Sequence, residues 1–124
     1  MKVSNDYSQS NTLMATVCAS AVMEYFGVYG TTYNKRTKQN VWMNTLRRNG
    51  YSVRSRRSKL PRDASVGGSR NKLRIIAEAE PQIRAFIIKA KGHVLLLDRE
   101  GETIIDTAPR KRDRRKVIGL HAIW

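Results

Sequence analysis

The chain has 124 residues, of which 24 are Lys or Arg and 10 are Asp or Glu, giving a formal net charge of +14. This length predicts one domain spanning residues 1–124. A hydrophobic content of 40% is enough for a modest core and excludes a disordered tail. The charge excess predicts an anionic partner: nucleic acid, an acidic protein or a membrane surface.

The cysteine content and the hydropathy of the sequence indicate the cellular compartment in which the protein is expected. Cys18 is the one cysteine, which excludes an internal disulfide and fits a reducing environment. The N-terminus lacks the apolar stretch of a secretory signal, and no segment reaches the roughly 18–20 apolar residues of a membrane span. The sequence therefore predicts a soluble, cytoplasmic protein. One Cys and two separated His do not form a metal-ligand spacing, so neither metal nor cofactor is expected.

The first predicted element is a helix over residues 17–26, where apolar residues recur at helical spacing. Thr16 as the N-cap would place Cys18 in the first turn. Asn11 or Thr12 as the N-cap would instead place Cys18 in the middle of the helix. The sequence leaves both alternatives open.

The middle of the chain predicts a second helix between residues 37 and 48, a strand over 51–54 and a mobile basic loop over 55–70. Ser69 is the predicted N-cap of a short helix that ends before Pro81. Gly67 and Gly68 fall in the predicted loop. The resemblance described below makes self-processing after them conceivable, but a flexible loop explains the pair without it.

The remainder of the chain has the pattern of strands. Residues 83–88 are apolar apart from Arg84, which predicts a buried strand. Strands over 93–98 and 103–108 follow around a turn at 99–102, and a last strand spans 117–124. Helices followed by an antiparallel sheet define the α+β class.

The hairpin allows a geometric inference about a histidine and an aspartate. If Glu100 and Gly101 are the two turn residues, Leu95 faces Asp106. His93 shares a face with Leu95 because side chains alternate along a strand. Asp106 would then lie diagonally across from His93, about 7–8 Å away between Cα atoms. A three-residue turn would break this parity.

Such a pair suits acid–base chemistry at a thiol. The carboxylate of Asp106 would orient the imidazole of His93, whose other nitrogen could take a proton from Cys18. A helix N-terminus and an imidazolium both favour the thiolate, which is the attacking species. The alternatives are a buried Cys18, a strand-capping His93 and a turn-holding Asp106. His121, in the last strand, is the less favoured base.

Local sequence context strengthens this interpretation. The segments CASAVMEYFGV, beginning at Cys18, and GHVLLLDREGETIIDTAP, containing His93 and Asp106, resemble the two signatures of bacteriocin-processing (double-glycine) cysteine peptidases, a branch of the papain-like group. LRRNGYSVR and PQIRAFIIKAKGH are similar to segments between them, so the resemblance covers roughly residues 9–109. It implies a papain-like fold, with N-terminal helices packed on a C-terminal antiparallel sheet. It also implies hydrolysis of a peptide or protein substrate.

Residue roles follow from the same resemblance. Cys18 would be the nucleophile, His93 the general base and acid, and Asp106 the orienting residue. The family carries a glutamine six residues before the cysteine, where this chain has Thr12. Asn11 or Gln9 would be the substitute if the loop were shifted. Because loss of an oxyanion donor costs on the order of 10²–10³ in rate, the alternative is a catalytically inactive papain-like domain that binds nucleic acid or an acidic protein through a basic surface.

The basic residues are concentrated in two segments. Residues 35–74 hold 13 Lys or Arg against one acidic residue, and residues 110–116 hold six against one. Blocks of like charge repel one another unless a partner neutralises them, and a phosphate backbone is the natural partner. The predicted anion contacts are Arg56, Arg57, Arg110, Arg112, Arg114 and Arg115.

Overall fold

Helices and one short strand fill the first two thirds of the chain, and four consecutive strands follow. The computed structural model describes residues 21–28, 39–90, 93–106 and 114–124. Residues 21–25 are helical, and the further elements in chain order are α1 (Gln39–Arg48), β1 (Val53–Ser55), a 3-10 turn (Arg57–Lys59), α2 (Val66–Ala79), β2 (Ala85–Ala90), β3 (His93–Asp98), β4 (Thr103–Asp106) and β5 (Val117–Ile123). The predicted α+β class is confirmed.

The sheet has the order β1-β5-β2-β3-β4 within the described ranges, and each neighbouring pair is antiparallel. β2 occupies the centre. Its first four residues, Ala85, Phe86, Ile87 and Ile88, are each no more than 1% exposed. A continuous apolar run is what a strand needs when both of its faces are covered, and the sequence predicted this run as a buried strand.

Two apolar clusters cover the two faces of the sheet. On the first face, Ala85 and Ile87 pack with residues 21–28 and α1. On the second face, Phe86 and Ile88 pack with α2. The clusters use alternate residues of β2 because successive side chains point to opposite faces. The core is therefore built in two layers around one sheet.

Helix α2 begins four residues earlier than predicted. Ser65 is the N-cap, with extended backbone, and its Oγ accepts a hydrogen bond from the Gly68 N–H at 3.0 Å. Val66 is buried and its N–H donates to the Arg115 carbonyl at 2.9 Å. The prediction of Ser69 as the cap is wrong, because its buried hydroxyl donates to the Ser65 carbonyl at 2.6 Å.

The predicted mobile loop over 55–70 is largely structured. β1 extends to Ser55, the 3-10 turn occupies Arg57–Lys59, and Gly67 and Gly68 lie in the first turn of α2. The flexible-loop interpretation of the glycine pair is therefore wrong. Helix formation here depends on the Ser65 cap rather than on glycine propensity, which disfavours helix.

The β3–β4 hairpin has a three-residue turn, so the predicted two-residue turn is wrong. The Asp98 N–H donates to the Glu102 carbonyl at 2.9 Å, and the Gly101 N–H donates back to the Asp98 carbonyl at 3.1 Å. Gly101 has φ +82°, a backbone conformation that favours glycine.

A β-bulge then restores the predicted register. Leu97 pairs with Thr103, the register shifts, and Leu95 pairs with Asp106. The three-residue turn and the extra bulge residue cancel in parity. The predicted pairing of Leu95 with Asp106 is thus confirmed although its assumed turn is wrong.

Substitution of Gly101 by alanine should be strongly destabilising. A Cβ there would lie 2.4 Å from the Arg70 carbonyl oxygen, whereas a Cβ at Gly50, with φ +91°, would meet nothing within 4 Å. Gly50→Ala therefore measures the backbone strain alone, about 1–2 kcal/mol. We expect Gly101→Ala to lower the free energy of unfolding in urea by at least about 1 kcal/mol more. An equal loss of unfolding free energy in Gly50→Ala and Gly101→Ala would contradict the close approach of Gly101 to the Arg70 carbonyl.

Candidate functional site

The backbone places positions 93 and 106 at the same end of the sheet. His93 is the first residue of β3 and pairs with Ala90, the last residue of β2. Asp106 is the last residue of β4 and pairs with Leu95. Positions 93 and 106 are therefore diagonal on neighbouring strands, as predicted. Cys18, Thr12 and Asn11 lie outside the described residues, so the triad and the oxyanion residues remain predictions.

Two arginines attach the hairpin that carries these positions to α2. Arg70 Nη1 donates to the Gly101 carbonyl at 2.8 Å and lies 3.0 Å from Thr103 Oγ1. Arg99 Nη2 donates to the Ala77 carbonyl, near the C-terminus of α2, at 3.0 Å. Hydrogen bonds from charged donors are stronger than neutral ones. The turn end of the hairpin is thereby fixed on α2.

The segment that follows Cys18 ends at the opposite end of the sheet. Tyr51 Oη donates to the Phe26 carbonyl at 2.6 Å, and the Arg84 guanidinium lies 5.8 Å from the centre of the Phe26 ring. Tyr51 is itself half-buried and packs against the first-face cluster. Phe26 therefore lies near the start of β2.

His121 is a second histidine on the sheet, and sequence reasoning gave it less weight. It pairs with Ile87 and Ser55, and lies on the first face, where residues 21–28 also pack. Its Nδ1 is buried without a hydrogen-bond partner. Burial lowers the pKa of His121, and the charges of Arg47 and Lys89 lower it further. The imidazole is consequently neutral near pH 7.

Alternation along β5 could have placed His121 on the face opposite Leu120, since Leu120 packs in the second-face cluster. Nothing in the local sequence reveals the cover by residues 21–28. His121 is therefore the alternative to His93 as the base that would accept the proton of Cys18.

The depressed pKa predicts a pH dependence of stability. Between the folded pKa and the ordinary value of 6.5, the unfolded chain binds a proton that the folded His121 does not. The contribution of His121 to the free energy of unfolding is therefore fully present above pH 6.5, and it is lost as the pH falls through the folded pKa. We expect the wild type to lose more free energy of unfolding than His121→Gln between pH 7.5 and 5.5, by urea denaturation. An equal loss of unfolding free energy in wild type and His121→Gln would contradict a lowered pKa of His121.

Arg56 and Arg57, two of the predicted anion contacts, donate hydrogen bonds to groups of the protein itself. Arg56 holds Glu80 through two hydrogen bonds, at 2.9 and 2.6 Å, and lies 5.6 Å from the Trp124 ring centre. This hydrogen bonding lowers the pKa of Glu80. Arg57 donates to the carbonyls of Val117, Leu60, Pro61 and Arg62.

The Arg56–Glu80 pair should contribute modestly to stability. The two side chains are 19% and 24% exposed, so solvent screens part of their attraction. We expect Glu80→Gln to lower the free energy of unfolding by about 0.5–1 kcal/mol. Glu78→Gln, at an exposed position on the same helix, should change it by less than about 0.5 kcal/mol. A similar effect of both variants in urea denaturation would contradict a specific contribution of the pair.

The two basic segments of the sequence meet at the N-terminus of α2. Besides the Val66 bond to the Arg115 carbonyl, the Val117 N–H donates to the Ala64 carbonyl at 2.8 Å, and Ser65 forms a β-bridge with Lys116. We call the exposed cations at this meeting point the basic junction: Arg62, Arg114, Arg115 and Lys116. Of the predicted contacts, Arg114 and Arg115 belong to it, while Arg110 and Arg112 lie outside the described residues.

Within the described ranges, no helix has the length and apolarity needed to cross a membrane. The same residues contain no cluster of three or more His, Cys, Asp or Glu placed to hold a metal ion. A scan against protein-family models, a search of curated proteins and a search of solved structures each found no match to this chain.

Proposed function

We propose that this chain is a papain-like cysteine hydrolase acting on peptide bonds. The observation that carries the proposal is the pairing of Leu95 with Asp106, which puts the aspartate diagonal to His93. The order of elements also supports it, because the segment containing Cys18 precedes α1, α2 and the antiparallel sheet.

In the proposed reaction, Cys18 Sγ attacks the peptide carbonyl while His93 takes up the thiol proton. His93 returns this proton to the leaving amine as the C–N bond breaks and a thioester forms. Water, deprotonated by the same imidazole, then attacks the thioester and releases the acid and the thiol. Asp106 holds the imidazole in orientation throughout. The backbone N–H of Cys18 and the side chain of Thr12 or Asn11 are the proposed oxyanion donors.

The proposal sets a geometric condition on the segment before residue 21. Phe26 lies near the start of β2, and β2 ends beside His93, about 20 Å further along. A helix continued from Phe26 back to Cys18 would cover about 12 Å. Such a helix would end about 8 Å short of the end of β2. The proposal therefore requires the backbone before residue 21 to extend further toward position 93 than a continuous helix would.

Digestion of a random peptide library, read by mass spectrometry, tests the proposed activity. We expect wild type to cleave peptides and Cys18→Ala and His93→Ala to lose at least about 10³-fold in rate. His121→Gln is the matched control and should keep most of the activity. Loss of cleavage in His121→Gln with retention in His93→Ala would transfer the role of base to His121. Cleavage by Cys18→Ala would contradict the proposal.

A second candidate is polyanion binding, and the basic junction is the observation that favours it. Two basic segments far apart in sequence are brought together there. The N-terminus of α2 adds its partial positive charge. A nucleic acid or an acidic protein would neutralise this concentration of charge.

Binding of a fluorescent single-stranded DNA oligonucleotide at 50 and 200 mM salt tests the junction. The variant Arg114→Gln/Arg115→Gln should bind more weakly, and the slope of log K against log salt should fall by about 1.4, since each phosphate contact contributes about 0.7. The control Arg54→Gln/Arg74→Gln removes two exposed cations outside the junction. Equal changes in slope would show non-specific attraction to net charge instead.

A further inference from the structure

An open groove runs between the 3-10 turn and α2, away from positions 93 and 106. Its volume is about 620 Å³, and its lining residues are Lys59, Lys72, Ile75, Ile76, Ala79 and Glu80. Lys59 comes from the 3-10 turn and the others from α2 or its C-cap. None of these residues has a role in the proposed triad or in the basic junction.

The floor of the groove is aliphatic. Ile75 is 60% exposed, and it lies beside Ile76 and Ala79. Residues 72, 75, 76 and 79 fall on one side of α2 because they are three, four and seven positions apart. A single exposed isoleucine is ordinary, but one set in a concave apolar surface is typical of a binding site.

The rims of the groove are positively charged. Lys59 and Lys72 are both exposed and line it from opposite elements. The lining includes one carboxylate, Glu80, whose two oxygens accept hydrogen bonds from Arg56. The Arg56 guanidinium neutralises this charge, so the groove presents two cations around an apolar floor.

We propose that this groove binds an acidic amphipathic segment of a partner protein. Leucine-like side chains of the segment would cover Ile75 and Ala79, and its carboxylates would meet Lys59 and Lys72. Apolar burial would supply affinity, and the charges would supply orientation and on-rate. The described lining contains no aromatic side chain on which a base could stack, which disfavours a single-stranded nucleic acid. The inference goes beyond the proposed hydrolase activity and does not use Cys18.

Selection from a displayed library of random 12-residue peptides tests the groove. The target is Cys18→Ala, so that binding is measured without turnover, and wild type is tested afterwards. We expect selected peptides to combine Leu, Ile, Met or Phe with Asp or Glu. Their affinity, from fluorescence anisotropy, should fall at least about tenfold for Ile75→Ser and for Lys59→Gln/Lys72→Gln, because each change removes buried apolar area or a paired charge.

Matched controls lie elsewhere on the surface. Ile118 is 55% exposed on β5, and Lys89 is exposed on β2. Ile118→Ser and Lys89→Gln should change affinity by less than about twofold, and urea denaturation checks that every variant is folded. Selected peptides that bind the groove variants and controls equally would overturn the proposal. A selection that yields no acidic amphipathic peptides would overturn it as well. Since the target lacks the nucleophile, either result is independent of catalysis.

Discussion

Burial of β2 on both faces fixes the register of the sheet. A strand that is apolar at consecutive positions needs cover on each side, and α2 and the segment 21–28 with α1 provide it. A slip of one residue would exchange the two clusters, so the register of the neighbouring strands is strongly specified. The strand ends that carry positions 93 and 106 are therefore set by packing in the centre of the sheet.

The β3–β4 hairpin illustrates how far sequence spacing predicts geometry. Counting residues gave the pairing of Leu95 with Asp106, and this pairing is present. The assumed turn was one residue too short, and the bulge between Leu97 and Leu96 compensates. A Gly at positive φ is predictable from local sequence. The bulge is not, because no turn residue or proline marks the point between Leu97–Thr103 and Leu96–Ile105 where the register shifts.

The segment 55–70 shows the opposite outcome. Its basic, Pro- and Gly-containing composition predicted a mobile loop, yet Arg57 connects it to the Val117 carbonyl 60 positions away. Such long-range hydrogen bonds leave no local pattern. The helix start was misplaced for a related reason: Ser65 and Ser69 are equivalent as caps in sequence, and burial of Val66 against β5 favours the first.

These hydrogen bonds separate the basic residues into two groups: those that donate to groups of the protein and those that face solvent. Arg56, Arg57 and Arg99 are used internally, as donors to carbonyl groups or a carboxylate, whereas the basic junction and the rims of the groove face solvent. Net charge alone could not separate these uses. The exposed cations of the basic junction and the groove are therefore the ones with donors facing solvent.

We propose that Cys18 is activated by His93, whose position relative to Asp106 follows from the register of the β3–β4 hairpin. The most direct test is the iodoacetamide alkylation rate of the native protein against pH, for wild type, His93→Ala and His121→Gln. We expect fast labelling of the wild type that persists to mildly acidic pH and is lost in His93→Ala alone. Labelling that is slow in native wild type and appears only on unfolding, or that depends on His121 instead, would contradict it.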